Sequence, residues 1–169
     1  MADDKLKEKL VEYAQDAHAM EQNVLRMLDS MIDTTDDRDI QQMLTHHKQE
    51  TEEQDQRLRE RLEALGAGTS TLTSTVKETG AVGGALLKGV GDKARSDKPG
   101  KNARDGFVTE HMEIASYQLL ERLADRAGDQ QTAEVARRNR AEEEEMARKI
   151  DANWDRFVDL TLAEAGIRA

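Results

Sequence analysis

The sequence predicts an all-α protein, a bundle of four helices arranged as two antiparallel hairpins. Three observations predict it. The 169 residues include 36% charged residues, only 3% aromatic residues and a single proline, and they are rich in strong helix formers. Apolar residues recur with a helical period in four long stretches. A single glycine-rich segment separates the second stretch from the third, whereas short turns interrupt each half of the chain.

The first hairpin is predicted over residues 4–65. Its first helix ends at Ile32, because the following stretch, 33–38, consists of turn and capping residues. Its second helix begins near Asp39 and ends before Gly66, a residue that commonly terminates helices.

The second hairpin is predicted over residues 103–165. Its first helix ends near Arg126, ahead of a turn that contains Gly128. Its second helix begins near Gln130 and extends as far as Ala165. The two hairpins together form one domain that spans 1–169.

The connection between the hairpins, 66–102, is long and contains most of the glycines and Pro99. A second helix of this length extends ~40 Å at about 1.5 Å per residue, so the connection must return along the bundle. One long crossover of this kind is the ferritin-like variant of the four-helix bundle. Residues 76–90 fit either a loose helix on the bundle or a solvated linker.

Composition excludes several function classes. The formal net charge of −10 argues against nucleic acid, because phosphate binding needs a positive surface. Cysteine is absent, so the chain has no disulfide framework and no thiolate site. The N-terminus carries no apolar signal region and no apolar run reaches membrane length. We therefore expect a cytoplasmic protein that engages neither membranes nor nucleic acid.

A weak internal repeat brings glutamates into register. When the chain is shifted by 92 residues, Glu21 falls on Glu113 and Glu50 falls on Glu142. In an antiparallel hairpin, two residues equidistant from the turn lie side by side. Each hairpin has its turn midway between its own two glutamates, so four carboxylates are predicted at one level of the bundle.

Helical periodicity predicts that these residues face the interior. Glu21 and Glu113 each occupy an otherwise apolar seam, and Glu110 lies one turn before Glu113. On the second helix, His47 and Glu50 form the polar middle of a stripe with apolar ends. The run 142–145 spans more than one turn, so at least one of its glutamates points inward, but periodicity does not choose which one.

Buried carboxylates at one level indicate a metal site. Like charges in a low-dielectric interior either take up protons or require a positive partner, and no lysine or arginine falls on these stripes at this level. Carboxylate and imidazole ligands suit hard cations, so two iron or manganese ions are expected. The candidate metal ligands are Glu21, His47, Glu50, Glu110, Glu113, Glu142 and Glu143.

The same residues carry a resemblance to a known family. The segment 108–117, VTEHMEIASY, resembles the Glu-His-Tyr-Glu-Ile-Ala-x-Tyr signature of the YciE/YciF-type ferritin-like proteins of bacteria, and 47–51, HKQET, resembles their His-Leu-Glu-Glu-Thr segment. The resemblance covers all four helices. It implies a stress-associated, metal-binding homodimer whose ligands are the glutamates and the histidine named above.

The site departs from the wider ferritin-like pattern, which places Glu-x-x-His on the second and fourth helices. Here the second helix has His-x-x-Glu, and the fourth helix contains no histidine because His47 maps onto Asn139. Two functions remain. One is a di-metal centre that consumes peroxide or oxygen, or oxidises iron, under stress. The alternative is a non-enzymatic stress or interaction protein with a metal-free or weakly metal-binding polar core, docking partners through the crossover.

Overall fold

The computed structural model of the chain describes residues 2–67 and 95–167, and within these ranges it confirms the all-α bundle. The described residues form five helices and no strand: α1 (Ala2–Asp33), α2 (Arg38–Ala64), α3 (Lys98–Ala127), α4 (Gln130–Asp151) and α5 (Trp154–Glu164). None of these helices is long and apolar enough to cross a membrane. The crossover helix considered over 76–90 lies outside the described residues.

Capping residues define the turn of each hairpin. Asp37 caps α2 by accepting hydrogen bonds from the backbone N–H groups of Asp39 (3.1 Å) and Ile40 (3.0 Å). At the second turn, Gly128 ends α3 with φ +72°, a left-handed conformation that glycine adopts without steric cost. Asp129 then caps α4 by accepting from the N–H of Thr132 at 3.1 Å.

The two hairpins pack so that α1 runs antiparallel to α3 and α2 runs antiparallel to α4. As residue numbers rise along α1, their partners on α3 fall, since Glu21 contacts Tyr117 whereas Met27 contacts Thr109. The apolar interior is divided into two clusters. One includes Leu10, Leu58, Leu62, Leu120 and Ala124, and the other includes Val24, Leu28, Leu44, Met146 and Ile150. A layer of buried polar side chains lies between them.

The ends of the second hairpin differ from the sequence prediction. Helix α3 begins at Lys98, five residues earlier than expected, with Pro99 in its first turn where a missing N–H costs nothing. The predicted fourth helix is interrupted at 152–153 and continues as the separate helix α5.

The interruption allows α5 to cap the N-terminus of α3. The side chain of Glu164 accepts from the N–H of Lys98 at 2.9 Å, and Thr161 accepts from the N–H of Gly100 at 2.9 Å. These contacts satisfy donors that the first turn of a helix leaves unpaired. Trp154 adds an edge-to-face contact with Phe107 of α3, at 5.4 Å between ring centroids.

Candidate metal centre

The polar layer between the two apolar clusters brings together ionisable side chains from all four long helices. Glu21 comes from α1, His47 from α2, Glu110 and Glu113 from α3, and Glu143 from α4. Each side chain is almost completely inaccessible to solvent, with at most 1% of its surface exposed. Helices of a bundle hold their inward positions rigidly, so these groups form a fixed cluster.

The cluster consists of two groups that share one residue. In the first, Nε2 of His47 lies 3.3 Å from Oε1 of Glu110 and 3.6 Å from Oε2 of Glu143. The second contains Glu21, Glu113 and again Glu143. Within each group the candidate ligand atoms lie within 4.8 Å of one another. Ligand atoms on opposite sides of a divalent ion are about 4.2 Å apart for bonds of about 2.1 Å, so both groups have the scale of an ion site.

Most of the polar atoms in this cluster lack a hydrogen-bond partner. The atoms that are buried without a hydrogen-bond partner are both oxygens of Glu113 and of Glu143, one oxygen of Glu21 and of Glu110, and both ring nitrogens of His47. An unpaired buried charged group costs several kcal/mol, so such groups are normally compensated. Two ions coordinated by carboxylate oxygens and one imidazole would compensate them, and the residues therefore fit the di-metal site expected from the sequence.

Without an ion, burial and mutual repulsion force protons onto the cluster. Burial raises the pKa of Glu21 to about 8, although a hydrogen bond from Tyr117 opposes the shift. Burial, together with the other carboxylates, also raises the pKa of Glu113 and of Glu143 well above the usual range. For His47, burial alone lowers the pKa, but Glu110 and the neighbouring carboxylates outweigh it and raise the pKa well above its usual value.

A chain of hydrogen bonds leads from the cluster toward the surface. Tyr117, which is completely buried, donates its hydroxyl proton to Glu21, and the amide of Asn139 donates to the tyrosine oxygen at 2.9 Å. Arg57 in turn donates to the amide oxygen of Asn139. This chain fixes the orientation of Glu21, since every link restrains the next. Burial, with Glu21 beside it, also raises the pKa of Tyr117 well above its usual value.

Two of the candidate ligands lie outside both groups. The side chain of Glu50 is 25% exposed and its carboxylate lies 3.5 Å from Nδ1 of His47. That carboxylate oxygen is buried without a hydrogen-bond partner and faces Nδ1, whereas Nε2 of the same ring faces Glu110 and Glu143. The side chain of Glu142 is also partly exposed and accepts a 2.8 Å hydrogen bond from Arg57, so it points away from the cluster. Glu50 and Glu142 therefore lie at the rim of the cluster, beside His47 and Glu143, whereas Glu21 and Glu113 lie inside it. That Glu50 and Glu142 bind metal stays a prediction.

The position of Glu143 explains how the internal repeat fails at this layer. Under the shift of 92 residues, Glu143 corresponds to Thr51, which is equally buried but neutral. Glu50 and Glu142 are therefore equivalent to each other at the rim, whereas the interior position carries a carboxylate in one hairpin only. Sequence periodicity predicted that no lysine or arginine falls on the inward-facing stripes at this level. It missed Arg57 because the long side chain reaches the layer from the flank of its helix.

Comparison with known proteins places the chain in a family. The family model described as "Domain of unknown function (DUF892)" matches residues 5–163. Among solved structures, the chain is similar to a protein from Xanthomonas campestris, with a TM-score of 0.78 and 24% identity over 96% of this chain and 99% of that one. It is also similar to the E. coli stress protein YciF, with a TM-score of 0.77 and 18% identity over 91% of this chain and 97% of that one.

A third similar structure is YcfI from Rhodopseudomonas palustris, with a TM-score of 0.64 and 24% identity over 86% of this chain and 92% of that one. At these identities the structures establish the fold alone. The family model covers nearly the whole chain, including every helix that contributes to the polar layer. The chain therefore belongs to the DUF892 family, the YciE/YciF-type ferritin-like proteins that its third-helix motif resembles.

Proposed function

We propose that this protein binds two iron or manganese ions in its polar layer and uses them in peroxide, oxygen or iron-oxidising chemistry during stress. The observation that supports the proposal is the shared carboxylate Glu143, which belongs both to the His47–Glu110 group and to the Glu21–Glu113 group. A carboxylate common to two groups would serve as a ligand to both ions of a two-metal site. The donors are hard oxygens and one imidazole, which suit these two metals.

In this proposal, the residues of the polar layer have different roles. Two bound ions supply Lewis-acid polarisation and redox capacity to an oxidant. Glu143 spaces the two halves of the site, and His47 provides its only nitrogen donor among the residues of the two groups. Tyr117 holds Glu21 in place through its hydroxyl, and apolar side chains pack against the layer from both sides. The two halves are chemically unequal, since one has imidazole and the other has carboxylates alone.

The non-enzymatic alternative has one observation in its favour. His47 lies between Glu110 and Glu143 with Glu50 on its other side, and these carboxylates raise its pKa well above the usual value, against the effect of burial. A protonated imidazole can therefore balance part of the negative charge without an ion. In that case the cluster is a polar core of an interaction protein. Most of the crossover through which such a protein would dock partners, residues 68–94, lies outside the described residues.

Metal analysis of protein purified without chelator separates the two functions. We expect about two equivalents of iron or manganese per chain, as one ion for each group. Glu113→Gln and Glu143→Gln should each lower the metal content, because each removes a charged ligand. Glu142→Gln is the matched control: it alters the neighbouring glutamate on the same helix, which binds Arg57 instead, and should keep the wild-type content.

Turnover is then measured as oxidation of a reducing dye by peroxide, or of added ferrous iron by oxygen. Activity should follow metal content across the variants. The proposal fails if the wild-type protein binds no transition metal. It also fails if the double variant Glu21→Ala/Glu113→Ala binds metal as the wild type does.

A further inference from the structure

A second feature of the interior is an apolar cavity of about 300 Å³ that ends at the polar layer. It lies between the α1–α2 turn, the first turns of α3, and helix α5. Its walls are mostly apolar and include four methionines, Met27, Met31, Met43 and Met146, together with Ile150 and Phe157. Methionine side chains are flexible and polarisable, so a wall of this kind adapts to apolar ligands of varied shape.

The cavity connects the surface with the candidate metal centre. At its outer end lie Thr34, Asp36 and Glu164, which are partly or fully exposed. At its inner end lies Glu110, only 1% exposed, with one carboxylate oxygen that has no hydrogen-bond partner. A molecule that fills the cavity is therefore brought against a member of the His47 group.

We propose that this cavity binds a small, uncharged, chain-like molecule with a terminal hydroxyl, a medium-chain alcohol. The volume is that of about ten water molecules at about 30 Å³ each, which corresponds to a ligand of about ten non-hydrogen atoms. The apolar wall takes the hydrocarbon chain, since burial of apolar surface drives binding in such pockets. This binding deepens the proposed function, because it names the class of molecule that would share the site with the metal ions. In that respect it rests on the proposed function.

Polar groups in the cavity wall select the head group. The amide oxygen of Asn102 is buried and lacks a donor, so the hydroxyl of a ligand has an acceptor in the cavity wall. The charged residues in the wall are Asp36, Asp37, Glu110, Glu164 and Lys98, with acids in excess. A negatively charged head group is therefore disfavoured relative to a neutral one.

Binding is measured through the only tryptophan of the chain, Trp154. Its ring packs on Phe157, which lines the cavity, at 6.1 Å between ring centroids. Bromine quenches indole fluorescence only at close range. We expect decanol with a terminal bromine to quench Trp154 saturably, and unlabelled decanol to reverse the quenching. Decanoate should compete at least about tenfold less well than decanol, a difference of about 1.4 kcal/mol.

Gly106 provides the blocking variant. A Cβ placed there meets Ile150 at 3.6 Å and Met31 at 4.0 Å, which are ordinary contacts, and all three residues line the cavity. Gly106→Leu adds four carbon atoms to a space for about ten and should weaken decanol binding roughly tenfold or more. Gly106→Ala adds one and should weaken it less while preserving the fold. Ala115→Leu, on an exposed face of the same helix, should bind as the wild type does.

The measurement is made on chelator-treated protein and on Glu113→Gln, so that it does not depend on metal. If both samples show saturable quenching while the untreated wild type contains no metal, the cavity binds the alcohol and the proposed function is refuted. Absence of saturable quenching overturns the inference whatever the metal content is. Equal affinity in the wild type and in both Gly106 variants overturns it as well, as does tighter binding of decanoate than of decanol.

Discussion

The buried carboxylates make the metal-free protein lose stability as pH rises, and Glu21 shows by how much. Its pKa is raised by burial from 4.5 to about 8 in the folded state. An acid with a raised folded pKa stabilises the fold fully below its unfolded pKa, and that stability is lost as pH rises toward the folded pKa. A shift of about 3.5 pKa units corresponds to about 5 kcal/mol, of which about 3 kcal/mol is lost by pH 7.

The perturbation is Glu21→Gln, which removes the titrating group but keeps an oxygen to accept from Tyr117. We expect the free energies of unfolding of variant and wild type to agree near pH 4.5 and to diverge as pH rises. At pH 8 the metal-free variant should be more stable by several kcal/mol, a large fraction of a typical total of 5–15 kcal/mol. Glu134→Gln, at an exposed position of α4, is the matched control and should leave the pH dependence unchanged.

The assay is urea unfolding between pH 4.5 and pH 8 with chelator present, followed by tryptophan fluorescence and far-ultraviolet circular dichroism. His47 contributes with the same sign, because its folded pKa is also raised. Asp37 and Asp129 have lowered pKa values, so their stabilising contribution is lost only as pH falls through the acid range, below this window. A wild-type stability that stays flat or rises from pH 5 to pH 8 would refute the reasoning.

Three further predictions concern the same layer and its supports. Added Mn²⁺ should reverse the pH trend, because bound metal displaces protons from the cluster, and at 100 times its Kd it should stabilise the wild type by about 2.7 kcal/mol in thermal unfolding. Tyr117→Phe should cost about 2–3 kcal/mol in urea unfolding, because it leaves Glu21 and the amide of Asn139 without their shared partner. Asp129→Ala should cost about 1–2 kcal/mol in the same assay, since α4 loses its N-cap contact with Thr132.

The homodimer implied by the family resemblance stays a prediction. Light scattering on the purified protein tests it.

Much of the site is predictable from local periodicity. Glu21 and Glu113 lie in apolar seams with helical spacing, and both are completely buried. His47 and Glu110 are likewise buried at the predicted level. These residues are identified by the side of their own helix that carries apolar neighbours, which is a property of the sequence near each residue.

Periodicity fails where neighbouring residues compete for the same interior position. Glu142 and Glu143 are separated by about 100° around the helix axis, and a run of four glutamates offers no apolar contrast between them. The rotation of α4 against α2 decides the outcome. Arg57 binds the first of these glutamates at the rim, and the second enters the cluster. The same limit applies to Glu50. Periodicity places it correctly on the stripe of α2 that carries His47, but its carboxylate lies at the rim of the cluster beside that histidine.

By itself, the sequence determined that the chain forms long helices in two short-turned hairpins with acidic residues in their apolar seams. Helix propensity, capping and periodicity are local, so no tertiary information was needed. Only the tertiary structure decided that Glu143 joins the two groups of buried ionisable residues, that α5 turns back to cap α3, and that a cavity leads to Glu110. Each of these depends on contacts between residues far apart in sequence, and the packing of whole helices sets those contacts.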